Sequence, residues 1–157
     1  DEGGFVVPEA KSLVCYRSRD ILLVSTDFGP GSLTTSGYPR SVRAWRRGAP
    51  LESAEVVFEG EPDDHIVYGY TIQERGGHVF ELIHRAVSFY EVERRVSMDG
   101  GRSFVPLRLP ADAELLTFGD SFLLRLGADF APIQGGTSFR SGSLLAAPAS
   151  AVLAGEP

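Results

Sequence analysis

Cysteine, methionine, tryptophan and lysine occur once each in 157 residues. The single thiol, Cys15, excludes an internal disulfide and fits a reducing compartment. Its neighbours Leu13, Val14 and Tyr16 suggest a buried, unreactive side chain. No apolar stretch approaches the roughly 18 to 20 residues of a membrane span, and no basic-then-apolar leader opens the chain. Positive charge in excess is missing too. The net charge of −6 has the wrong sign for a phosphate backbone. Arg43, Arg46 and Arg47 form a local basic group around Trp45, read as strand residues that are solvated or stacked on aromatic rings. No nucleic acid and no membrane partner is expected. The expected location is cytoplasmic; a periplasmic one would require a leader already trimmed. The chain starts Asp-Glu-Gly-Gly without Met and stops at Ala-Gly-Glu-Pro, which reads as a piece of a longer polypeptide.

Ligand spacing for metals is equally scarce. His78 and His84 flank "VFELI" on one strand, and six residues at about 3.3 Å place them about 20 Å apart, too far to share an ion. The acidic turn Glu61-Pro62-Asp63-Asp64 before His65 lacks the ligand alternation of a calcium loop and reads as a solvated turn. Asp27-Phe28-Gly29 copies a kinase tripeptide without the phosphate loop, paired lysine or catalytic loop. No metal, cofactor or catalytic residue is expected in this chain.

What the chain has in abundance is β patterning. Short apolar runs broken by Gly, Pro, Asp and Ser predict strands at 12–16, 21–26, 42–47 and 55–59, then at 66–73, 79–86, 90–98 and 104–109. A third group falls at 114–118, 122–126 and 142–146, with a closing helix over 148–154. Groups of about four strands recur every 45 to 50 residues or so, the spacing of β-propeller blades. Continuous apolar runs such as Ile21-Leu22-Leu23-Val24 and Phe122-Leu123-Leu124 suit sheets covered on both faces. The expected fold is all-β, a partial propeller of two and a half to three antiparallel four-stranded blades with a short C-terminal helix. Its repeats fall at about 11–60, 61–110 and 111–157 within one segment.

"SMDGGRSF" fits S-x-D-x-G-x-[ST]-[FW]. Asp99 is placed to fold its carboxylate onto turn N–H groups, and Ser97 to close the turn. Gly100 and Gly101 supply positive φ, and Phe104 anchors the turn between sheets. This resembles the Asp-box of sialidase-like propellers, and it makes Asp99 a structural residue.

A longer stretch is more distinctive. In "TDFGPGSLTTSGYPRSVRAWRRGAPLESAEVVFEG" a "GSLTxSGYPR" connection leads into a "V-x-x-W-x-R-G-x-P-L" strand and turn. Gly37, Tyr38, Pro39, Arg40, Trp45, Arg47, Gly48, Pro50 and Leu51 carry the pattern. It resembles the N-terminal propeller of prolyl oligopeptidase-family serine peptidases, and the likeness extends to "LPADAELLTFGDSFLLRL" and "FRSGSLLAAPASAVLAG". The resemblance implies a non-catalytic segment that gates short peptides on their way to a separate α/β-hydrolase domain of the parent chain. Peptide substrate would be met only in the full-length protein. The nucleophile elbow G-x-S-x-G does not occur here, since "GPGSL", "GGTSF" and "SGSLL" miss the spacing. The alternative is an Asp-box propeller acting on or binding glycans, or a protein-binding module. The connection after Thr26 reads as a mobile loop and a possible flap. Blades cut from a ring would leave raw apolar faces, so self-association of the isolated chain is expected.

Overall fold

A computed structural model describes residues 4–110, 112–132 and 136–154. Two four-stranded antiparallel sheets follow one another. The first contains β1 (Leu13–Ser18), β2 (Ile21–Ser25), β3 (Ser41–Arg46) and β4 (Glu55–Glu59), in that spatial order. The second contains β5 (Ile66–Gln73), β6 (Val79–Ala86), β7 (Val92–Ser97) and β8 (Val105–Leu107), again in chain order. A third sheet has three strands, β9 (Glu114–Phe118), β10 (Ser121–Arg125) and β11 (Leu144–Pro148), and leads into α1 (Ala149–Ala154). The chain divides into two compact units. One holds the first sheet and most of the second; the other holds residues 72–79 and the described part from Leu107 onward.

In the first unit the two sheets meet through Leu23 and Val42 on one side and Val67 and Ile83 on the other, all at most 1% exposed. Each such aliphatic side chain contributes about 1.5–3 kcal/mol by leaving water. Gly69 permits the approach, because a Cβ there would lie 2.6 Å from Cγ1 of Val42. Strand β2 is buried on both faces after Ile21. Its second face, with Leu22, Val24, Trp45 and Ala54, is covered by Phe5, Val7, Phe28 and Leu51. These residues cover part of the raw face expected on this sheet; Val14, Tyr16 and Val56 on the same face stay more than half exposed.

The second unit has a smaller core of Ala113, Leu124 and Leu126, flanked by Leu109, Phe130, Phe139 and Leu145. Strand β10 alternates buried with less buried positions, so the continuous burial expected for Phe122-Leu123-Leu124 is corrected: this sheet packs on one face. The other carries Leu116, Phe118 at 75% and Leu144 at 60% exposure.

Other boundaries move for local reasons. The third group has the three strands read from the sequence, the last shifted from 142–146 to Leu144–Pro148. Among the described residues between β10 and β11, Phe130 and Phe139 form an isolated bridge. Pro148 ends β11 instead of opening the helix, and Gly155 lies outside the described residues. Arg47 leaves β3 and enters the turn after it. Cys15 is half-buried on an edge strand, its Sγ 3.3 Å from the Thr71 hydroxyl, and so is not a core thiol.

Candidate functional site

The distinctive stretch occupies both ends of β3. Before the strand, the connection predicted to be mobile is instead pinned along its length. Asp27 accepts from the Gly29 N–H and the Ser32 hydroxyl, which holds its carboxyl below the ordinary range. Thr34 takes the Tyr38 N–H, and Gly37, at φ +72°, returns its N–H to the Thr34 carbonyl. The segment then laces onto the turn between sheets. Thr35 N–H donates to Pro62, Gly60 N–H to Arg40, and Val67 N–H to Pro39. Pro39 is fully buried. Arg40 pairs with Glu59. The Tyr38 ring lies 4.0 Å below the Lys11 ammonium and 5.1 Å from His65, whose other neighbour is the exposed Phe89.

After the strand, Trp45 donates from Nε1 to the Ala49 carbonyl at 2.8 Å and meets Phe5 edge-on at 4.9 Å. Gly48 turns the chain at φ +77°. Pro50 precedes a 3-10 turn, Leu51–Ser53, and Leu51 packs on the Trp45 cluster. Arg47 donates to the Arg19 carbonyl and stacks on Phe5. The nine family-pattern residues thus form two groups separated by a strand of about 17–20 Å, one shaping the turn onto Trp45 and the other locking the two sheets together.

The turn at Asp99 is equally explicit. Its Oδ1 accepts from the Ser97 hydroxyl (2.6 Å) and from the N–H groups of Arg102 (3.0 Å) and Ser103 (3.1 Å). Its Oδ2 accepts from the Ser103 hydroxyl at 2.6 Å. The hydroxyls of Ser103 and Ser97, and then the backbone donors, hold the carboxyl well below the usual carboxylate range. Ser97 also receives the Gly101 N–H at 2.9 Å. Gly100 and Gly101 both adopt positive φ, and Phe104 packs beside the core joining the two sheets.

Several residues had no signal in the sequence. Asp64, read as part of a solvated turn, is 2% exposed and grips Arg85 through Nε (2.7 Å) and Nη2 (3.0 Å) while accepting the Glu61 N–H. Burial raises its carboxyl, but the Arg85 bonds, the Glu61 N–H and the charges of Arg85 and Arg40 outweigh that and lower it. Glu81 is buried and holds Arg17. Among the described residues no cluster of three or more metal-ligating side chains occurs. His84 stacks on Tyr68 at 4.5 Å, and burial, helped by the Arg94 charge, pushes it down to about 4.

The three arginines around Trp45 do not form one basic surface. Arg43 shares the Trp45 face and stacks on Phe28 at 3.9 Å, Arg46 projects to the opposite face, and Arg47 belongs to the turn. Two cavities adjoin the first sheet. One of about 250 Å³ is lined by Arg17, Ile21, Ala44, Arg46, Ser53 and Glu55. The other, of about 170 Å³, is lined by Pro8, Asp27, Phe28, Arg43, Leu51 and Glu52.

No protein-family model matches the chain. An uncharacterized peptidase, y4nA, of Sinorhizobium fredii (strain NBRC 101917 / NGR234) is 26% identical over 155 residues, 96% of this chain and 21% of the relative. The chain thus spans about a fifth of the curated relative that it matches. Among solved structures, a post-proline cleaving enzyme from Rickettsia typhi superposes with TM-score 0.78 at 20% identity, over 90% of this chain and 21% of that one. A structure from a study of two prolyl endopeptidases gives 0.55 at 15% identity, over 73% and 17%. The likeness to the propeller of prolyl oligopeptidase-type enzymes therefore holds at the level of fold. The fold is all-β, a partial propeller.

Proposed function

We propose that this chain is a propeller segment of a prolyl oligopeptidase-like serine peptidase, its three sheets serving as successive blades. Its role is to gate short peptides to an α/β-hydrolase domain of the same polypeptide. The observation that carries the reading is the 0.78 superposition over 90% of the chain on a fifth of a post-proline cleaving enzyme. The identity to a curated peptidase along 96% of the chain supports it independently. The chain contributes selection and shielding, not bond chemistry: it lacks a G-x-S-x-G elbow, and Asp99 is occupied by its turn. A rigid, laced connection after Thr26 suits a fixed wall of the gate better than a flap.

The test is to read the gene beyond Pro157 and express its whole product. Expected are a downstream G-x-S-x-G elbow and cleavage of a proline-containing chromogenic peptide, with large folded proteins spared. A product lacking the elbow and carrying further S-x-D-x-G-x-[ST]-[FW] turns overturns the reading in favour of a glycan-acting or binding propeller.

A further inference from the structure

Arg43 is the odd member of the first sheet. Its guanidinium lies over the Phe28 ring, 3.9 Å from the centroid, and its Nε is buried without a hydrogen-bond acceptor among the described residues. Arg17 is answered by Glu81 and Arg85 by Asp64. Arg40, whose Nε is likewise buried without an acceptor, still meets Glu59 through Nη2, whereas Arg43 has no ion-pair partner among the described residues. Stacking satisfies the face of a guanidinium but not its in-plane donors. Nε is sealed from solvent, so the two Nη groups of this half-buried side chain are the donors that a carboxylate or similar anion would meet. The pairing shifts register between Val42 and Arg43, where Val57 of β4 is the extra residue, so the irregularity lies on the strand opposite Arg43.

The surroundings narrow the partner. Arg43 opens onto the cavity of about 170 Å³, below the roughly 300 Å³ at which drug-sized sites begin, so the occupant is small. Pro8, Phe28 and Leu51 give it an apolar wall. Asp27 and Glu52 give it two carboxylates. Asp27 engages its donors through Oδ1 alone, and Glu52 has no ion-pair partner among the described residues. A purely anionic ligand would meet repulsion from these two acids. A ligand with both charges and an apolar body meets a complementary group at each point.

We propose that this pocket binds a small zwitterion, an amino acid or dipeptide with an apolar side chain, its carboxylate held by Arg43 and its ammonium facing Asp27 and Glu52. The inference does not rest on the peptidase reading, because binding is measured without hydrolysis. Failure of either leaves the other standing.

Titration calorimetry with Ala-Pro, its C-terminal amide and its N-acetyl form tests the charge pattern on the unaltered protein. Ala-Pro is expected to bind at least about tenfold more tightly than the amide and more tightly than the acetylated form. Trp45, which shares a cluster with Phe28 and Leu51, gives a second readout through its emission. Arg43→Gln should lose about tenfold or more in affinity while remaining folded, its melting temperature lowered only by the loss of the Phe28 stacking, and Arg43→Lys should recover part of the affinity. Equal binding of Ala-Pro and its amide, or no heat up to about 10 mM dipeptide, overturns the proposal.

Discussion

Arg17 on β1 and Glu81 on β6 form a two-pronged ion pair between the first and second sheets, with Nε to Oε2 at 2.7 Å and the carboxylate 2% exposed. Taking either partner away leaves a buried charge unanswered, which costs about 3–5 kcal/mol. Arg17→Met and Glu81→Leu singly should each lower stability by that order in urea unfolding. The double substitution should recover most of the loss; a double mutant as unstable as the two losses summed would disprove the pairing.

Gly101 stands on this ion pair. A Cβ there would overlap Nη2 of Arg17 and lie 2.7 Å from Oε1 of Glu81, whereas a Cβ on Gly100 meets open space. Both glycines have positive φ, worth about 1–2 kcal/mol against alanine. Gly100→Ala should therefore cost about that amount and Gly101→Ala distinctly more. Equal losses would mean that the ion pair gives way freely.

The Asp99 carboxyl sits below its ordinary value of 3.8, through bonds that only the ionised form accepts. A depressed folded value means that the group adds stability which is whole above the unfolded value and is lost as pH falls through the folded one. Asp99→Asn should lower the melting temperature at pH 7, and the gap to wild type should close on acidification below about pH 4. Asp27 and Asp64 shift in the same direction, so a smaller acid slope should persist in the variant. In the full-length protein Asp99→Ala should leave activity per folded molecule unchanged. Lost activity at unchanged stability would make Asp99 functional.

The exposed face of the third sheet should draw two copies of the isolated chain together. Leu116, Phe118 and Leu144 lie open there. Light scattering at rising concentration is expected to show association that Phe118→Ser with Leu144→Ser abolishes. A monomer at every concentration would sink the idea.

Repeat spacing and apolar runs sufficed to read the strands, because blade strands differ sharply from their Gly- and Asp-rich turns. The Asp99 turn was legible for the same reason: its partners lie within four residues. Asp64 was not, since its partner Arg85 is 21 residues away and no local pattern marks a buried acid. Gly69 likewise reads as a flaw in a strand until Val42 is seen opposite it; Gly69→Ala should cost about 1–3 kcal/mol through overpacking. The connection after Thr26 looked mobile because two of its anchors, Pro62 and His65, belong to the next repeat. The Arg43 pocket joins Pro8, Asp27 and Glu52 from three separate segments, which no spacing rule connects.

Both four-stranded sheets keep chain order, each strand lying beside its successor. Such a meander closes through nearby pairings, whereas the Arg17–Glu81 link spans 64 residues and carries a greater loop-closure penalty. Each sheet should therefore assemble before the two dock, leaving that link unformed at the folding barrier. Weakening it should speed unfolding several-fold while the refolding rate hardly changes, so the pair governs how long the native state lasts and not how fast it is reached.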